Sequence, residues 1–311
     1  MTYSIVARDR ESGDLGVAVQ SRALAVGAVV PWAKAGVGAI ATQSDPNPTY
    51  GPMGLRLLAY GKPPDEVLAQ LTSSDPLRAY RQVGIVDQRG RAATFTGSAN
   101  SEWAGGRFGT GFAAQGNLLA GSDVVDGLAE TYMAGGMPFA ELLVHCLYAA
   151  ERAGGDRRGR EASALVVVRE AGGFGGLDDR YVDLRVDDHP DPVGEFDRLL
   201  RLFRTYRDFA QPDQLVPITE PLVAELQDLL ALAASSSAYV EWDLGQAPPR
   251  EPIGKPRKPP DGWDAEWQRK LDSWLVGANL WRRRTASGWI DPAALGRLRA
   301  VRGASKSLGD S

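Results

Sequence analysis

Short apolar runs rich in Val, Ile and Ala, broken by glycine-containing polar turns, open the chain: TYSIVARD, then ESGD, then LGVAVQS read as two strands of a hairpin. Small apolar residues continue through ALAVGAVVPWAKAGVGAIATQ, where Gly27, Gly36 and Gly38 predict tightly packed or sharply turned strands. The period then lengthens. PMGLRLLAYGKPPDEVLAQLTSSD predicts two amphipathic helices broken at Gly61, Pro63 and Pro64. RQVGIVDQRGRAATFTG restores a hairpin, turning at Asp87-Gln88-Arg89-Gly90. FAAQGNLLAG predicts a strand, followed by a helix start at Ser122-Asp123 and helices over VVDGLAETYMAGG and PFAELLVHCLYAAERAGG. ASALVVVRE and YVDLRVDD are strands again. Helices grouped in pairs between runs of strands predict an α+β fold with antiparallel sheets and helical layers outside, not a doubly wound parallel sheet. Residues 192–234 are helical in pattern, best in EFDRLLRLFRTYRDF and TEPLVAELQDLLALAAS.

Composition divides this picture. Six of the eight tryptophans (Trp242, Trp263, Trp267, Trp274, Trp281, Trp289) follow residue 240, and the proline-rich run QAPPREPIGKPRKPPDG at 246–262 reads as an extended linker. From Arg250 onward 13 Lys and Arg face 7 Asp and Glu, a charge of +6 that leaves −10 on the preceding residues. The expected domains are therefore 1–190, a helical extension 191–245, the linker 246–262, and a small helical module 263–311. The overall charge of −4 gives no argument for nucleic acid or an anionic membrane surface. A single cysteine excludes an intramolecular disulfide framework, and with two histidines there is little material for a metal site or histidine-based catalysis. No metal or cofactor is expected. The first residues are charged by position 8, unlike a secretory signal, so a cytoplasmic protein is expected.

Candidate chemistry begins at Thr2. A small second residue permits removal of Met1, which leaves threonine with a free α-amine. That amine, with a pKa of roughly 7.7–8.0, can act as base for the hydroxyl beside it. One residue then supplies both groups, and the scarcity of histidine ceases to be an objection. His145-Cys146 lies in an apolar helical run and reads as packing. AGGFGGLDD lacks the following Lys-Ser/Thr helix of a phosphate loop. Asp87, Asp123 and Asp126 lack cation-site spacing.

Thr2 at the start of a strand, the immediate hairpin and the paired strand and helix order together resemble the Ntn-hydrolase superfamily. That resemblance implies a four-layer α-β-β-α sandwich with the nucleophile on the first strand. TYSIVARDRESGDLGVAVQSRALAVGAVVPWAKAGVGAIATQ, QVGIVDQRGRAATFTG, AAQGNLLAG and GGDRRGREASALVVVR resemble more closely the bacterial family called domain of unknown function 1028, from Thr2 to about Asp188. The likeness implies a basic residue near Thr2, with Arg22 in QSRA and Lys34 in PWAKAG as unranked candidates. It also implies an oxyanion donor at Asn117, with Gly116 allowing close backbone approach, and a supporting Asp156 with Ser163 joining its network. Glu161 stands where the family pattern has glutamine.

The C-terminal GWDAEW, the spaced Leu271, Trp274, Leu275 and Leu280, and WIDPAALGRLR resemble a peptidoglycan-binding-like module, and they equally suit a miniature hydrophobic core. The expected function is hydrolysis of a C–N amide bond in a small-molecule or peptide substrate through Thr2. The rival reading is a non-catalytic Ntn-fold scaffold recognising a cell-wall fragment or protein partner through this module. A third reading has the module deliver peptidoglycan-derived amides to the hydrolase. A homo-oligomer is left open.

Overall fold

The computed structural model describes residues 2–235 and 251–307. Met1, Trp242, the 236–245 end of the expected helical extension, residues 246–250 of the expected linker and the last four residues lie outside them. The chain divides into two units, Met1–Leu200 and Arg201–Ser311.

In the first unit β1 (Thr2–Arg8) and β2 (Leu15–Ser21) form the expected hairpin, with Thr2 opposite Ser21 and Arg8 opposite Leu15. β3 (Pro31–Lys34) and β4 (Gly38–Ser44) follow, then α1 (Tyr50–Ala59) and α2 (Pro64–Ser73). The chain returns to strands in β5 (Arg81–Asp87), β6 (Ala92–Thr96), β7 (Gly105–Gly109) and β8 (Phe112–Asn117). α3 (Asp123–Ala134) and α4 (Phe139–Arg152) precede β9 (Ala162–Val168), β10 (Arg180–Val186) and α5 (Pro192–Arg207). The strands form two antiparallel sheets, ordered β10-β9-β2-β1-β8-β7 and β3-β4-β5-β6.

Because side chains alternate across a strand, each sheet presents two faces. Val6, Val17, Val19, Ala113 and Ala164 of the six-stranded sheet meet Ala39, Ala41 and Val86 of the four-stranded one in a buried core between the sheets. The opposite face of the smaller sheet, Ile40, Val83 and Ile85, packs on Tyr50 and Leu58 of α1 and Val67 and Leu71 of α2. α4 buries Ala140, Leu143, Val144, Leu147 and Ala150, a helical stripe that lies on β1, β2 and β9. Each such buried leucine contributes about 1.5–3 kcal/mol. The approach is close: a Cβ on Gly16 of β2 would stand 2.7 Å from Leu143 Cδ1.

The second unit, Arg201–Ser311, has a core of its own. α6 (Glu220–Ser235) shares one core with α7 (Ala265–Gly277) and α8 (Pro292–Ser307), Leu222, Leu226, Leu229 and Leu230 packing with Trp263, Leu271, Trp274 and Leu298. Three of its residues also hydrogen-bond with the proline-rich run: Ile253 N–H donates to Arg284 O, Ala286 N–H to Ile253 O and Arg257 N–H to Ser287 O. Ile253 and Arg257 are thus tied to the 284–287 loop. Asp264 caps α7, its Oδ1 accepting the N–H groups of Glu266 and Trp267 at 2.8 and 3.0 Å. Leu271 and Trp274 lie in this core and Trp267 packs against it, as their helical spacing allowed. Among the described residues no helix is long and apolar enough to cross a membrane.

Candidate active site

Thr2 begins β1, between the ends of two neighbouring strands. Ser21 ends β2 on one side and Asn117 ends β8 on the other, both in direct register with it. Thr2 is 6% exposed, and its Oγ1 lies 3.0 Å from Ser21 Oγ. The register places Thr2, Ser4 and Val6 on the face turned toward the smaller sheet, so the interior between the sheets is apolar at Val6 and becomes polar toward Thr2.

The polar end is built from neutral side chains. Ser4 donates to Gln43 Oε1 at 2.6 Å and accepts from Gln115 Nε2 at 2.6 Å. Gln43 Nε2 donates to Thr2 O at 3.2 Å and to Gln82 Oε1 at 2.9 Å. Gln82 Oε1 also accepts from Asn117 Nδ2 at 2.8 Å, while its Nε2 donates to Gly116 O at 2.7 Å and Thr96 Oγ1 at 3.0 Å. Gln43 and Gln82 face each other across β4 and β5, so the smaller sheet orients groups attached to the larger one. Gly84 makes room: a Cβ there would stand 2.0 Å from Gln115 Oε1. Such a connected, buried network holds amide orientations firmly because each lost partner leaves another group unpaired.

Ser21, Gln43, Gln82 and Gln115 were not singled out from the chain. Their signal was present in AVQS, ATQS, YRQVG and AAQGN, where an apolar strand carries a glutamine near its end. Glutamine is seldom buried without a partner, and Gln43, Gln82 and Gln115 meet in this network, whereas Gln20 of AVQS lies on the other face with both amide atoms buried and unpaired among the described residues.

Of the candidates named from the sequence, Asn117 lies beside Thr2 and commits one amide hydrogen to Gln82. Asp156 is buried, and its Oδ2 accepts the Arg22 N–H at 3.1 Å while its Oδ1 accepts the Arg158 N–H at 2.9 Å. It also bridges Leu119, so it ties the chain following Ser21 to the chain following Asn117. Asp156 therefore acts on the position of the strand ends. Arg22 follows Ser21 directly, yet its guanidinium is occupied elsewhere, by Arg160 O at 2.9 Å and Glu161 Oε2 at 3.6 Å.

Two candidates are not brought to Thr2. Lys34 is exposed and pairs with Gly38 at the start of β4, whereas Gln43, which reaches Thr2, lies five residues further along that strand, roughly 16 Å at strand rise. Ser163 pairs with Gln20, the residue beside Tyr3, and so lies on the opposite face of the sheet; its hydroxyl donates to Pro192 O at 2.8 Å. An even-odd step along the strand reverses the face, and proximity in sequence to Asp156 does not alter that. Gly116 has a packing reason as well, since a Cβ would meet Leu119 Cδ1 at 2.4 Å.

The titratable groups around the site fall outside its polar interior. Burial, then the negative charges of Glu151 and Asp156, raise the Tyr3 hydroxyl well above its ordinary value, keeping it protonated. Burial pushes the Cys146 thiol up to about 12, while neighbouring His145 is exposed, so the two form no nucleophilic pair. Beyond the end of β4, Asp75 accepts from Arg81 Nε at 2.9 Å, Tyr50 Oη at 2.8 Å and Leu77 N–H at 2.8 Å. The Arg81 hydrogen bond leads in holding the Asp75 carboxyl below the ordinary carboxylate range. Arg81 Nη1 also donates to Asp45 O at 2.8 Å, which anchors the loop after β4 next to Gln82. Among the described residues no three His, Cys, Asp or Glu side chains are grouped so as to hold a metal ion.

The model of a family described as "Family of unknown function (DUF1028)" matches residues 2–196. Among solved structures, the crystal structure of protein SPO2555 from Silicibacter pomeroyi, titled with the same family model, is similar at 33% sequence identity and a TM-score of 0.61. That alignment covers 66% of this chain and 86% of the other. No curated protein matches. The family match takes in every strand of both sheets and stops within α5.

Proposed function

The chain belongs to the DUF1028 family, and from that membership and the surroundings of Thr2 we propose that it is an N-terminal-nucleophile hydrolase of a C–N amide bond. The observation that carries this reading is the position of Thr2: the first residue of a central strand, its hydroxyl against Ser21, cross-strand from an amide side chain, at the polar end of the space between two sheets. The stacking of a helix pair, two facing sheets and a second helix pair also supports it, being the α-β-β-α order expected of an Ntn hydrolase.

Removal of Met1 exposes the Thr2 amine. The amine takes the hydroxyl proton as Thr2 Oγ1 bonds to the substrate carbonyl carbon. The resulting oxyanion is met by the Asn117 amide hydrogen not given to Gln82 and by backbone N–H groups at these strand ends. Collapse breaks the C–N bond, and the proton held by the amine passes to the leaving nitrogen. Water then attacks the acyl-Thr2 ester with the same amine as base, releasing the acid and restoring Thr2. Ser21 keeps the hydroxyl oriented, and Asp156 keeps Ser21 in place through the Arg22 backbone.

The test combines intact mass with kinetics on a panel of small amides and peptides. The expected results are a mass lacking Met1, turnover by the wild type, and loss of turnover in a folded Thr2→Ala protein. Quantitative retention of Met1 in a fully active protein sinks the mechanism.

A further inference from the structure

We propose that Arg157 is an anion-recognising residue of the Thr2 site, and that the amide substrate carries a carboxylate. The proposal rests on the Thr2 reading and names the substrate class it implies. Its starting point is where positive charge is left uncompensated. Arg22 is set against Glu161 at 3.6 Å, Arg158 against Asp156 at 3.4 Å, and Arg160 against Glu151 and against Asp191 at 3.1 Å. Arg157 lies among them, is exposed, and has no acidic side chain within ion-pair distance among the described residues.

Its backbone is fixed at the site. The Arg157 N–H donates to Leu118 O at 3.3 Å, and Leu118 follows Asn117, the cross-strand partner of Thr2. The preceding Asp156 is held to Leu119 and to the Arg22 N–H. The Arg157 backbone is therefore anchored at the rim beside the residue that follows the β8 end, where Asn117 pairs with Thr2.

The interior decides which part of a substrate that rim receives. Thr2, Ser4, Ser21, Gln43, Gln82, Gln115 and Asn117 are neutral and mutually hydrogen-bonded, so the end of a substrate that enters must be neutral, as an amide is. A charged portion stays at the rim, where the unpaired cation is a guanidinium, whose planar fork fits a carboxylate through two parallel hydrogen bonds. On a protein of net charge −4, a local cation is also what admits an anionic molecule.

Two measurements on the full chain test this. In the first, Thr2 adduct formation is followed by intact mass with two β-lactones of one skeleton, one ending in a carboxylate and the other in its N-methyl amide. The carboxylate probe is expected to react about tenfold faster with the wild type, as one charge-assisted hydrogen bond warrants. The ratio should fall to about one in Arg157→Gln, persist in part in Arg157→Lys and invert in Arg157→Glu. An equal ratio in wild type and Arg157→Gln overturns the proposal. In the second, succinamate and succinamide are titrated by NMR against Thr2→Ala protein with and without Arg157→Gln. A succinamate preference that Arg157→Gln removes supports the inference even where neither lactone adds to Thr2, a result that sinks the nucleophile reading alone. No preference for succinamate overturns the inference.

Discussion

Thr2 and Ser21 face each other at the open end of the first hairpin, hydroxyl to hydroxyl at 3.0 Å, with the six residues 9–14 between their strands turning the chain at the other end. The pairing follows from antiparallel register, and it makes Ser21 the side chain best placed to orient the candidate nucleophile. Ser21→Ala should therefore lower kcat about tenfold, as expected for losing one orienting hydrogen bond, with KM little changed and thermal stability within about 1 kcal/mol of wild type. Steady-state kinetics and thermal unfolding on the same preparation check it; unchanged kcat removes Ser21 from the site.

Gln82 joins the two sheets beneath Thr2. Gln82→Leu removes the acceptor of Asn117 and Gln43 and the donor to Gly116 O, leaving buried groups unpaired. The expected loss is about 2–4 kcal/mol in urea unfolding, with a larger fall in kcat than Ser21→Ala gives because Asn117 loses its orientation. A stable, fully active Gln82→Leu would show that the network does not position Asn117.

Gly84 tests the same interface without removing a polar group. Its Cβ position lies 2.0 Å from Gln115 Oε1, so Gly84→Ala must displace Gln115 from Ser4 or push the sheets apart. A destabilisation of about 1–3 kcal/mol is expected. Removing the obstruction in a Gly84→Ala/Gln115→Ala double variant should show non-additivity in chemical denaturation.

Asp75 supplies the pH dependence. Its carboxyl is held below its ordinary value of 3.8, first by Arg81, so the native state favours the ionised form. The stability this contributes is complete above the unfolded value and is lost as pH falls through 3.8 toward the lower native value. Asp75→Asn should cost about 3 kcal/mol near neutrality, because Arg81 is left buried without that partner, and should flatten the acid limb of stability below pH 4. Melting curves from pH 7 down to pH 2.5 measure both effects.

The second unit makes a prediction about where a fragment may begin. Residues 201–311 should fold on their own with a cooperative transition, whereas 255–311, which lacks Leu222, Leu226, Leu229 and Leu230, should remain largely unfolded by circular dichroism. Cooperative folding of the shorter fragment would support the boundary read from the proline-rich run.

Local pattern was enough for the order of strands and helix pairs, the antiparallel arrangement, the first hairpin and the helical packing of Leu271 and Trp274, because period and turn chemistry are properties of neighbouring residues. Asn117 and Asp156 were named through the family resemblance, not local pattern. Local pattern could not join Gln43 and Gln82 to Thr2, since they come from a different sheet, nor separate Ser163 from Ala162 by face without knowing the register. Lys34 illustrates the same limit: sequence distance from Thr2 carries no information about which end of β4 its partner occupies. The pairing of Ile253 and Arg257 with the 284–287 loop was hidden for a related reason, as prolines forbid helix but leave the carbonyl and remaining N–H groups free to bond elsewhere. The amino-acid sequence by itself determined the elements and the chemical types near Thr2. The packing of two sheets decided which side chains meet, because contacts across that interface depend on register and facing, and both are set only when the layers close.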